Sequence, residues 1–273
     1  MPAFINNDFV DSKNALLHIS DLSIQRGYAI FDFFRTVNGK PLFMEDHLDR
    51  FYHSAEKMFL QIDKNREELI FIIRTLIEKS EITEAGIRMM LTGGYSPDGY
   101  NITQSNLVIT CNPVRISSEE EFEKGIKIIT YKYQRTLPHI KSIDYQMAVW
   151  LQSLLKEKKA ADVLYYNQDS ITEFPRSNVF IVTKKGILVT PEENILMGVT
   201  RKKILSLAPT IMPVEERNIT PDELLNASEV FLTSTTKKIM PVTVIGDKVI
   251  GNQAPGDYTR KLYRAFLDAE QLS

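Results

Sequence analysis

Apolar residues recur at helical spacing in four long segments of the chain. In MEDHLDRFYHSAEKMFL, apolar residues recur mostly every three or four positions, as they do on one buried helix face. They are Leu48, Phe51, Ala55, Met58 and Phe59. The segments REELIFIIRTLIEKSEI, YQMAVWLQSLLKEKKAA and YTRKLYRAFLDAEQL show the same spacing. The pattern therefore predicts four amphipathic helices, with two shorter ones in TRKKILSLA and TPDELLNA.

Short apolar runs bounded by turn residues predict strands between these helices. The Asn38-Gly39 pair between FFRTV and KPLF is a strong hairpin signal, because both central residues of such a turn need a positive φ angle. NVFIVTKKGILVTP predicts two strands joined at Lys185-Gly186. The other predicted strands are AGIRMMLTGG, SNLVITCNPV, GIKIITYKY, DVLYYN, SITEF, EVFLTSTT and MPVTVIGDKVIG.

The polar and acidic stretch NPVRISSEEEFEKG interrupts this pattern near the middle of the chain. A length of 273 residues suits two domains of ordinary size. We therefore predict an α+β protein with an N-terminal α/β domain over residues 1–115 and a larger, more strand-rich domain over residues 116–273.

Composition limits the kinds of partner. The chain is 43% hydrophobic and 25% charged with a net charge of -2, which is typical of a globular protein without a basic face for nucleic acid. Cys111 is the single cysteine, which excludes an internal disulfide, and the four histidines are not spaced as metal ligands. No apolar run is long enough to span a bilayer, and the N-terminus lacks a signal pattern. These features predict a cytoplasmic protein without a metal.

Lys141 stands at a predicted strand-to-helix junction in HIKSIDYQMAVW. A lysine in such a place is most often a solvated surface amine. Here apolar residues surround it in the sequence, namely Ile140, Ile143, Met147 and Trp150. Desolvation lowers the pKa of a lysine, and a neutral amine is what Schiff-base chemistry requires. Lys141 is therefore a candidate nucleophile.

Glu173 ends a strand-like run in ITEFPRSNVFIV, just before a bend at Pro175. Glutamate is depleted in strands and costly to bury without a partner, so a cationic or hydrogen-bonding group should face it. One interpretation is an exposed edge strand with an outward carboxylate. The other is a carboxylate directed at the protonated ring nitrogen of a cofactor.

Two segments resemble anion sites. In LMGVTRKKIL a glycine precedes a predicted helix whose first turn offers the backbone N–H groups of Val199 and Thr200. TSTTKK follows a predicted strand and presents four hydroxyl side chains, among them Ser234 and Thr235. Each signal alone is common in loops, and no nucleotide-binding glycine motif is present.

Taken in order, HLDR, IKSIDY, TEFPRSNVF, MGVTR and TSTTKKIMPV resemble the fold-type IV, or class IV, pyridoxal-phosphate aminotransferases. That family contains D-amino acid and branched-chain aminotransferases and aminodeoxychorismate lyases. The resemblance runs from about Phe4 to about Phe266. It implies a D-amino acid aminotransferase-like fold, with a small N-terminal α/β domain, a C-terminal pseudo-barrel and pyridoxal 5'-phosphate between them. It also implies a homodimer with shared active sites.

The resemblance also implies roles for individual residues. Lys141 matches the Schiff-base lysine that moves the proton between substrate and cofactor, and Glu173 matches the carboxylate that keeps the pyridine nitrogen protonated. Asp144 stands where asparagine is common in the family. The other cofactor-binding residues implied are Arg50, Val199, Thr200, Ser234 and Thr235 at the phosphate, with Tyr145 and Asn178 nearby.

The substrate end departs from the D-amino acid aminotransferase pattern. That pattern has an Arg-x-His pair where the loop GGYSPDGY has Asp98 and Tyr100, although Tyr28 matches the tyrosine that assists the pair. The loop, with Tyr95, is closer to the GRGYS loop of aminodeoxychorismate lyases. We therefore predict that the carboxylate anchor has moved to Arg176 or Arg26.

Three functions remain open from these residues. The first is an aminotransferase that moves an amino group between an α-amino acid, of D or L configuration and including branched-chain L-amino acids, and a 2-oxo acid. The second is an aminodeoxychorismate lyase, which releases pyruvate and 4-aminobenzoate. The third is a phosphate-binding or scaffolding protein, against which Lys141 and Glu173 argue, because binding alone needs neither residue.

Overall fold

The computed structural model describes residues 1–272, which form two compact units. The first unit comprises Met1–Arg115 and Ile140–Asp144, and the second comprises Ile116–His139 and Tyr145–Leu272. The five residues around Lys141 thus group with the first unit. Whether residues 1–115 and 116–273 fold as separate domains stays a prediction.

The first unit is an antiparallel sheet with helices. Its strands are β1 (Pro2–Ile5), β2 (Asp8–Asp11), β3 (Ala29–Val37), β4 (Lys40–Pro41), β5 (Ala85–Thr92) and β6 (Leu107–Pro113). Its helices are α1 (Leu22–Arg26), α2 (Met44–Lys57) and α3 (Arg66–Ser80). The strands lie in the order β2-β1-β6-β5-β3-β4. The two strands at the N-terminus were not predicted.

The predicted hairpin is confirmed, because Asn38 and Gly39 have φ angles of 51° and 75° between β3 and β4. The two helices that follow it are also confirmed. They share a buried core with the sheet, to which α2 contributes Leu48 and Phe51 and α3 contributes Leu69. Phe59 was wrongly assigned to the buried face of α2, since the helix ends before it and its side chain is 80% exposed.

The segment Ile140–Asp144 pairs with the beginning of β3. The Phe31 N–H donates to the Lys141 carbonyl at 2.9 Å, and the Ile143 N–H donates to the Ala29 carbonyl at 3.1 Å. Ile30 and Ser142 form an antiparallel bridge between these two bonds. The backbone of Lys141 is therefore held on a strand edge by main-chain hydrogen bonds.

The second unit is built on a mixed sheet. Its strands are β7 (Ile126–Lys132), β8 (Asp162–Asn167), β9 (Ser170–Ile171), β10 (Glu173–Phe174), β11 (Ser177–Val182), β12 (Leu188–Thr190), β13 (Val214–Glu216), β14 (Glu229–Ser234), β15 (Lys238–Ile245) and β16 (Lys248–Val249). Its helices are α4 (Glu119–Lys124), α5 (Gln146–Trp150), α6 (Gln152–Lys158), α7 (Val199–Leu207), α8 (Pro221–Leu225) and α9 (Asp257–Gln271).

The main strand order of this sheet is β13-β12-β11-β14-β15-β7-β8-β9, with β10 on β11 and β16 on β15. The pairs β12 with β13, β15 with β7, and β7 with β8 are parallel, and the other pairs are antiparallel. Both units mix helices with sheets, and the predicted α+β class is confirmed. Among residues 1–272, no helix combines the length and the apolar character that crossing a membrane requires.

Two predictions for the second unit were wrong in detail. The helix predicted over Tyr145–Ala161 is divided at Leu151, whose ψ angle of -5° departs from the helical value near -42°. No proline or glycine marks this division in the sequence. The predicted linker contains α4, which begins with a capping box in which Ser118 and Glu121 each bind the other's backbone N–H.

Candidate active site

Lys141 lies against an aromatic ring. Its Nζ atom is 4.6 Å from the centroid of the Phe31 ring, and its backbone N–H donates to Ser54 Oγ at 3.3 Å. The neighbouring Ile140 is buried in the core of the first unit. The apolar surroundings predicted for Lys141 are thus supplied by Phe31, whereas Trp150 is 66% exposed.

A buried carboxylate, Asp32, holds Arg50 in the same unit. Arg50 Nε donates to Asp32 Oδ2 and Arg50 Nη2 donates to Asp32 Oδ1, both at 2.8 Å. His47 Nδ1 lies 2.7 Å from Oδ1, and since a carboxylate only accepts, the Nδ1 atom carries the hydrogen of this bond. His47 and Arg50 stand three residues apart on α2, which places both side chains on one helix face.

The charge state of this group follows from its surroundings. Burial alone would raise the pKa of the Asp32 carboxyl, but Arg50 and then His47 lower it well below its usual value. Burial lowers the pKa of His47, and the positive charges of Arg50 and Lys141 lower it further against the opposing effect of Asp32. Near neutral pH the group therefore consists of a carboxylate, a guanidinium and a neutral imidazole.

Arg88 on β5 contacts the same aromatic ring as Lys141. Its Cζ atom lies 5.1 Å from the centroid of the Phe31 ring, and the Lys141 Nζ atom lies 4.6 Å from the same point. The two side-chain ends are therefore near each other. Arg88 is directly opposite Phe33, which makes it a diagonal neighbour of Phe31 on one face of the sheet. The side chain is exposed, and within residues 1–272 no carboxylate pairs with it.

Of the predicted substrate residues in the first unit, Arg26 ends α1, and Tyr28 and Tyr95 lie outside the helices and named strands. The Tyr28 hydroxyl donates to the Met58 carbonyl at 2.8 Å, and the exposed Arg26 donates through Nη1 to the Gln25 carbonyl at 2.9 Å. Tyr95 is 41% exposed and meets His18 edge to face with centroids 6.0 Å apart. These contacts are local to the unit.

Asp98 organises the loop in which the Arg-x-His pair is missing. Its Oδ1 atom accepts from Ser96 Oγ at 2.8 Å, the Tyr100 N–H at 3.0 Å and the Asn101 N–H at 2.9 Å. Hydrogen bonds from the backbone N–H groups of Asn101 and Tyr100 lower the pKa of Asp98. The carboxylate therefore serves to hold the turn, and Tyr100 is 81% exposed.

In the second unit, Glu173 is buried and both of its oxygens are bound. Arg135 Nε donates to Oε1 at 2.7 Å, and the Leu196 N–H donates to Oε2 at 2.9 Å. Arg135 is fixed in turn, because its Nη2 donates to the Pro138 carbonyl at 2.5 Å. The predicted cationic partner is confirmed and is Arg135, which the sequence did not identify. The alternative of an outward carboxylate on an exposed edge is wrong, since Glu173 is 4% exposed.

Glu173 belongs to a row of polar residues across three strands. It is directly opposite Asn178 on β11, which is directly opposite Thr233 on β14. Residues paired in this way have their side chains on one face of the sheet. Asn178 Nδ2 donates to the Leu196 carbonyl at 2.8 Å, and Thr233 Oγ1 is buried without a hydrogen-bond partner in the described part of the chain.

The helix start predicted at Val199 is confirmed, whereas its role as an anion site stays a prediction. Helix α7 begins at Val199 after Gly198. Because Gly198 has no side chain, it does not cap the first backbone N–H groups of the helix. A Cβ atom on Gly198 would approach Asn178 Oδ1 to 2.1 Å, so glycine is required for this close approach. Thr200 is buried in the first turn of the helix.

The second anion segment follows β14. Ser234 ends the strand, its Oγ accepts from the Lys237 N–H at 3.2 Å, and Thr235 is half-buried beside it. Tyr145 precedes α5 as its N-terminal cap and is also half-buried. Arg176 is exposed on the two-residue turn between β10 and β11, next to the buried pair of Phe174 and Ser177.

The donor set of the second unit fits a phosphorylated pyridine cofactor. Backbone donors at the start of α7 and hydroxyls at the end of β14 suit a phosphate. The Glu173 carboxylate and the unsatisfied Thr233 hydroxyl lie on one sheet face, where a polar ring would offer the hydroxyl a partner. Within residues 1–272, no group of three or more His, Cys, Asp or Glu side chains could hold a metal ion, and Cys111 is buried.

Comparison with known proteins places most of the chain in one family model. Residues 29–245 match the model described as amino-transferase class IV. The D-alanine aminotransferase of Bacillus licheniformis is 29% identical over 276 residues, covering 98% of this chain and 97% of that protein.

Two solved structures share the fold. The branched-chain amino acid aminotransferase of Escherichia coli superposes with a TM-score of 0.92 at 23% identity, over 98% of this chain and 94% of that chain. A hypothetical aminotransferase from Mycobacterium tuberculosis, in its PLP-bound form, gives a TM-score of 0.86 at 18% identity, over 99% of this chain and 99% of that chain.

Proposed function

This chain belongs to the class IV aminotransferase family, whose members use pyridoxal 5'-phosphate, and we propose that Lys141 and Glu173 carry out its amino transfer. Its substrates are amino acids and 2-oxo acids. When bound, pyridoxal phosphate supplies an aldehyde for a Schiff base and a protonated ring that withdraws electrons from the substrate carbon. The observation that carries the proposal is Glu173, a buried carboxylate whose position is fixed by Arg135 and the Leu196 N–H.

Lys141 is proposed as the Schiff-base residue and as the proton carrier. The Phe31 ring covers its amine from one side, with the Nζ atom 4.6 Å from the ring centroid. Lys141 Nζ would hold the cofactor through its aldehyde group, and once the substrate amine has displaced it, this amine would take up and return the substrate α-proton. The hydrogen bonds between the Lys141 segment and β3 fix the origin of this side chain.

The remaining cofactor residues are proposed to bind the phosphate and orient the ring. The phosphate ligands would be Arg50 together with Val199, Thr200, Ser234 and Thr235. Tyr145 and Asn178 would lie beside the ring, and Asn178 supports the α7 end through its bond to the Leu196 carbonyl. Glu173, paired with Arg135 at 2.7 Å, would face the ring nitrogen and keep it protonated.

We infer that the preferred amino donors are D-amino acids. Support comes from the D-alanine aminotransferase of Bacillus licheniformis, which is similar over nearly the full length of both chains. The branched-chain amino acid aminotransferase of Escherichia coli supports the fold alone, whereas a putative branched-chain-amino-acid aminotransferase of Methanocaldococcus jannaschii, 30% identical over 98% of this chain, supports the competing donor class. A branched-chain L-amino acid donor and the aminodeoxychorismate lyase reaction are the competing outcomes.

A donor profile distinguishes these outcomes. Protein loaded with cofactor is mixed with single D-amino acids, single L-amino acids or aminodeoxychorismate, and the loss of cofactor absorbance is followed. We expect D-alanine to react faster than L-alanine or L-leucine, with release of the 2-oxo acid. Faster reaction of the L-amino acids would contradict the D preference, and pyruvate release from aminodeoxychorismate would favour the lyase.

We also propose that Arg88 binds the substrate carboxylate. The earlier candidates Arg176 and Arg26 are the alternatives. Arg88 contacts the ring that also contacts the Lys141 amine, and in the described chain it has no acidic partner to compete with a substrate. Phe33 and Met90 are half-buried on the same sheet face and would contact an apolar substrate side chain.

Arg88→Gln is expected to lower kcat/KM for the preferred alanine enantiomer by about ten- to a hundredfold, because a charge-assisted hydrogen bond contributes about 1.5 to 3 kcal/mol. Primary amines without a carboxylate should react as before. Arg74→Gln, a change at an exposed arginine of α3, is the control. If Arg176→Gln or Arg26→Gln lowers amino acid turnover while Arg88→Gln does not, the anchor is at that other arginine.

We further propose that the protein is a homodimer in the cytoplasm. The first unit has exposed large side chains on two neighbouring segments, namely Leu16, Ile19 and Tyr100 on loops and Ile24 on α1. These loops are joined by the Ser96 N–H, which donates to the Ser20 carbonyl at 3.1 Å. Exposed apolar groups of this size are typical of interaction surfaces. A single buried cysteine is typical of proteins from a reducing compartment.

A further inference from the structure

Asp32 is a charged residue without solvent access on a strand of apolar neighbours. Its side chain is 0% exposed, and β3 places it between Phe31 and Phe33. Such a carboxylate is costly to bury unless charged and polar partners compensate it. Here the compensation comes from Arg50, through two hydrogen bonds, and from His47.

We propose that Asp32 is a positioning residue that fixes the Arg50 guanidinium for the phosphate of pyridoxal phosphate. This inference rests on the proposed role of Arg50 as a phosphate ligand. Asp32 accepts from Nε and from Nη2 of Arg50, which are two separate nitrogens of the guanidinium. Because the five N–H donors of this group lie in one rigid plane, fixing two of them fixes the direction of all five. The orientation of the guanidinium is therefore set before the cofactor arrives.

Two effects of Asp32 on phosphate binding oppose each other. Its negative charge partly cancels the attraction of Arg50 for a phosphate, which would weaken binding. Its two hydrogen bonds hold a flexible side chain in one orientation, which removes an entropic cost from binding. The burial of Arg50 decides between them, because its side chain is 12% exposed and a buried guanidinium without a partner would turn toward water.

His47 completes the arrangement from the same helix face. Its Nδ1–H donates to Asp32 Oδ1, which also accepts from Arg50 Nη2 and from the Phe33 N–H at 2.7 Å. Since burial lowers the pKa of His47 and keeps the imidazole neutral near pH 7, His47 adds a hydrogen bond without a competing positive charge. The carboxylate is thus held from three directions and in turn holds Arg50.

The test compares the affinities of the apoprotein for pyridoxal phosphate and for pyridoxal, which lacks the phosphate. Binding of each is measured from the absorbance of the bound chromophore at equilibrium, without any turnover. Asp32→Asn is expected to lower the preference for pyridoxal phosphate over pyridoxal by about ten- to a hundredfold, with the affinity for pyridoxal unchanged. Arg50→Gln should lower the same preference, and the double variant should add little, because both changes remove one interaction.

Asp21→Asn is the matched control. Asp21 is also 0% exposed in the first unit, but its partners are the neutral donors Thr92 Oγ1, Asn106 Nδ2 and the Ser23 N–H. The Asp21→Asn variant should leave the preference for pyridoxal phosphate over pyridoxal unchanged. If Asp32→Asn does not fold, as judged by circular dichroism, Asp32→Glu keeps the charge and displaces the guanidinium, and a smaller loss of preference is expected.

Several outcomes would overturn the inference. Equal losses of affinity for pyridoxal phosphate and pyridoxal in either Asp32 variant would show a merely structural role. A gain in affinity for pyridoxal phosphate would show that charge cancellation outweighs positioning. If Arg50→Gln itself leaves the preference unchanged, Arg50 is not a phosphate ligand, and the failure then lies in the proposed function of Arg50.

Discussion

Lys141→Ala is expected to abolish amino transfer, with a loss on the order of 10⁴-fold or more. The variant loses both the amine that bonds to the cofactor and the base that moves the proton, and general acid–base catalysis alone contributes about 10²–10⁴-fold. The phosphate ligands are unaltered, so the variant should still bind cofactor non-covalently. Turnover is measured as formation of the 2-oxo acid, and binding is measured from absorbance.

Borohydride reduction followed by mass spectrometry of peptides identifies the lysine directly. In the native protein the cofactor should be fixed to the peptide that contains Lys141, and in Lys141→Ala no peptide should carry it. Lys156→Ala, at an exposed lysine of α6, is the control and should retain both the adduct and the activity. An adduct on another lysine, or turnover in Lys141→Ala above about 1% of the native rate, would refute the assignment.

Glu173→Gln is expected to lower the rate of the first half-reaction by about a hundredfold, because one positioned electrostatic partner contributes on the order of 3 kcal/mol. The amide is nearly the same size as the carboxylate and can still accept from Arg135 Nε. It cannot keep the ring nitrogen protonated in the way that a negative charge does. The cofactor should therefore remain bound while the reaction slows.

The measurement is the single-turnover loss of cofactor absorbance with the preferred amino acid. Glu229→Gln is a matched control in the same unit, since the Glu229 carboxylate accepts from the Tyr258 and Thr259 N–H groups at the start of α9. The Glu229→Gln variant should lower the free energy of unfolding without changing the rate of the half-reaction. An unchanged rate in Glu173→Gln would remove Glu173 from the reaction.

The sequence identified residues whose chemistry is unusual for their place in the chain. Lys141 and Glu173 were selected because an amine among apolar residues and a glutamate ending a strand both require an explanation. The prediction of a buried, partnered Glu173 is confirmed by its bonds to Arg135 and Leu196. Their catalytic roles stay predictions.

The partners of these residues could not be found in the same way. Arg135 lies in the irregular segment YQRTLPH, where no periodicity indicates which direction a side chain takes. Asp32 is a single polar residue in AIFDFF, and its pairing with Arg50 depends on how α2 packs against β3. Such contacts between distant parts of the chain are fixed by tertiary packing, which local patterns do not encode.

The apolar patterns found the long helices but missed several short elements and one helix boundary. Helices α2 and α3 were predicted because their apolar spacing continues for several turns. The division at Leu151 was missed because the apolar spacing continues across it, and β1 and β2 were missed because strands of four residues carry a weak signal. Helix α4 was missed because acidic residues and a serine resemble a linker until the capping box is recognised.

The pairing of Ile140–Asp144 with β3 has a consequence for synthesis on the ribosome. Until residue 143 emerges, the Phe31 N–H and the Ala29 carbonyl lack their partners, and a nascent chain carries an open strand edge that another chain could pair with. Strand β7 has already been made by then. The residues that hold Lys141 thus also cover this strand edge, and they are made only after all six strands of the first sheet.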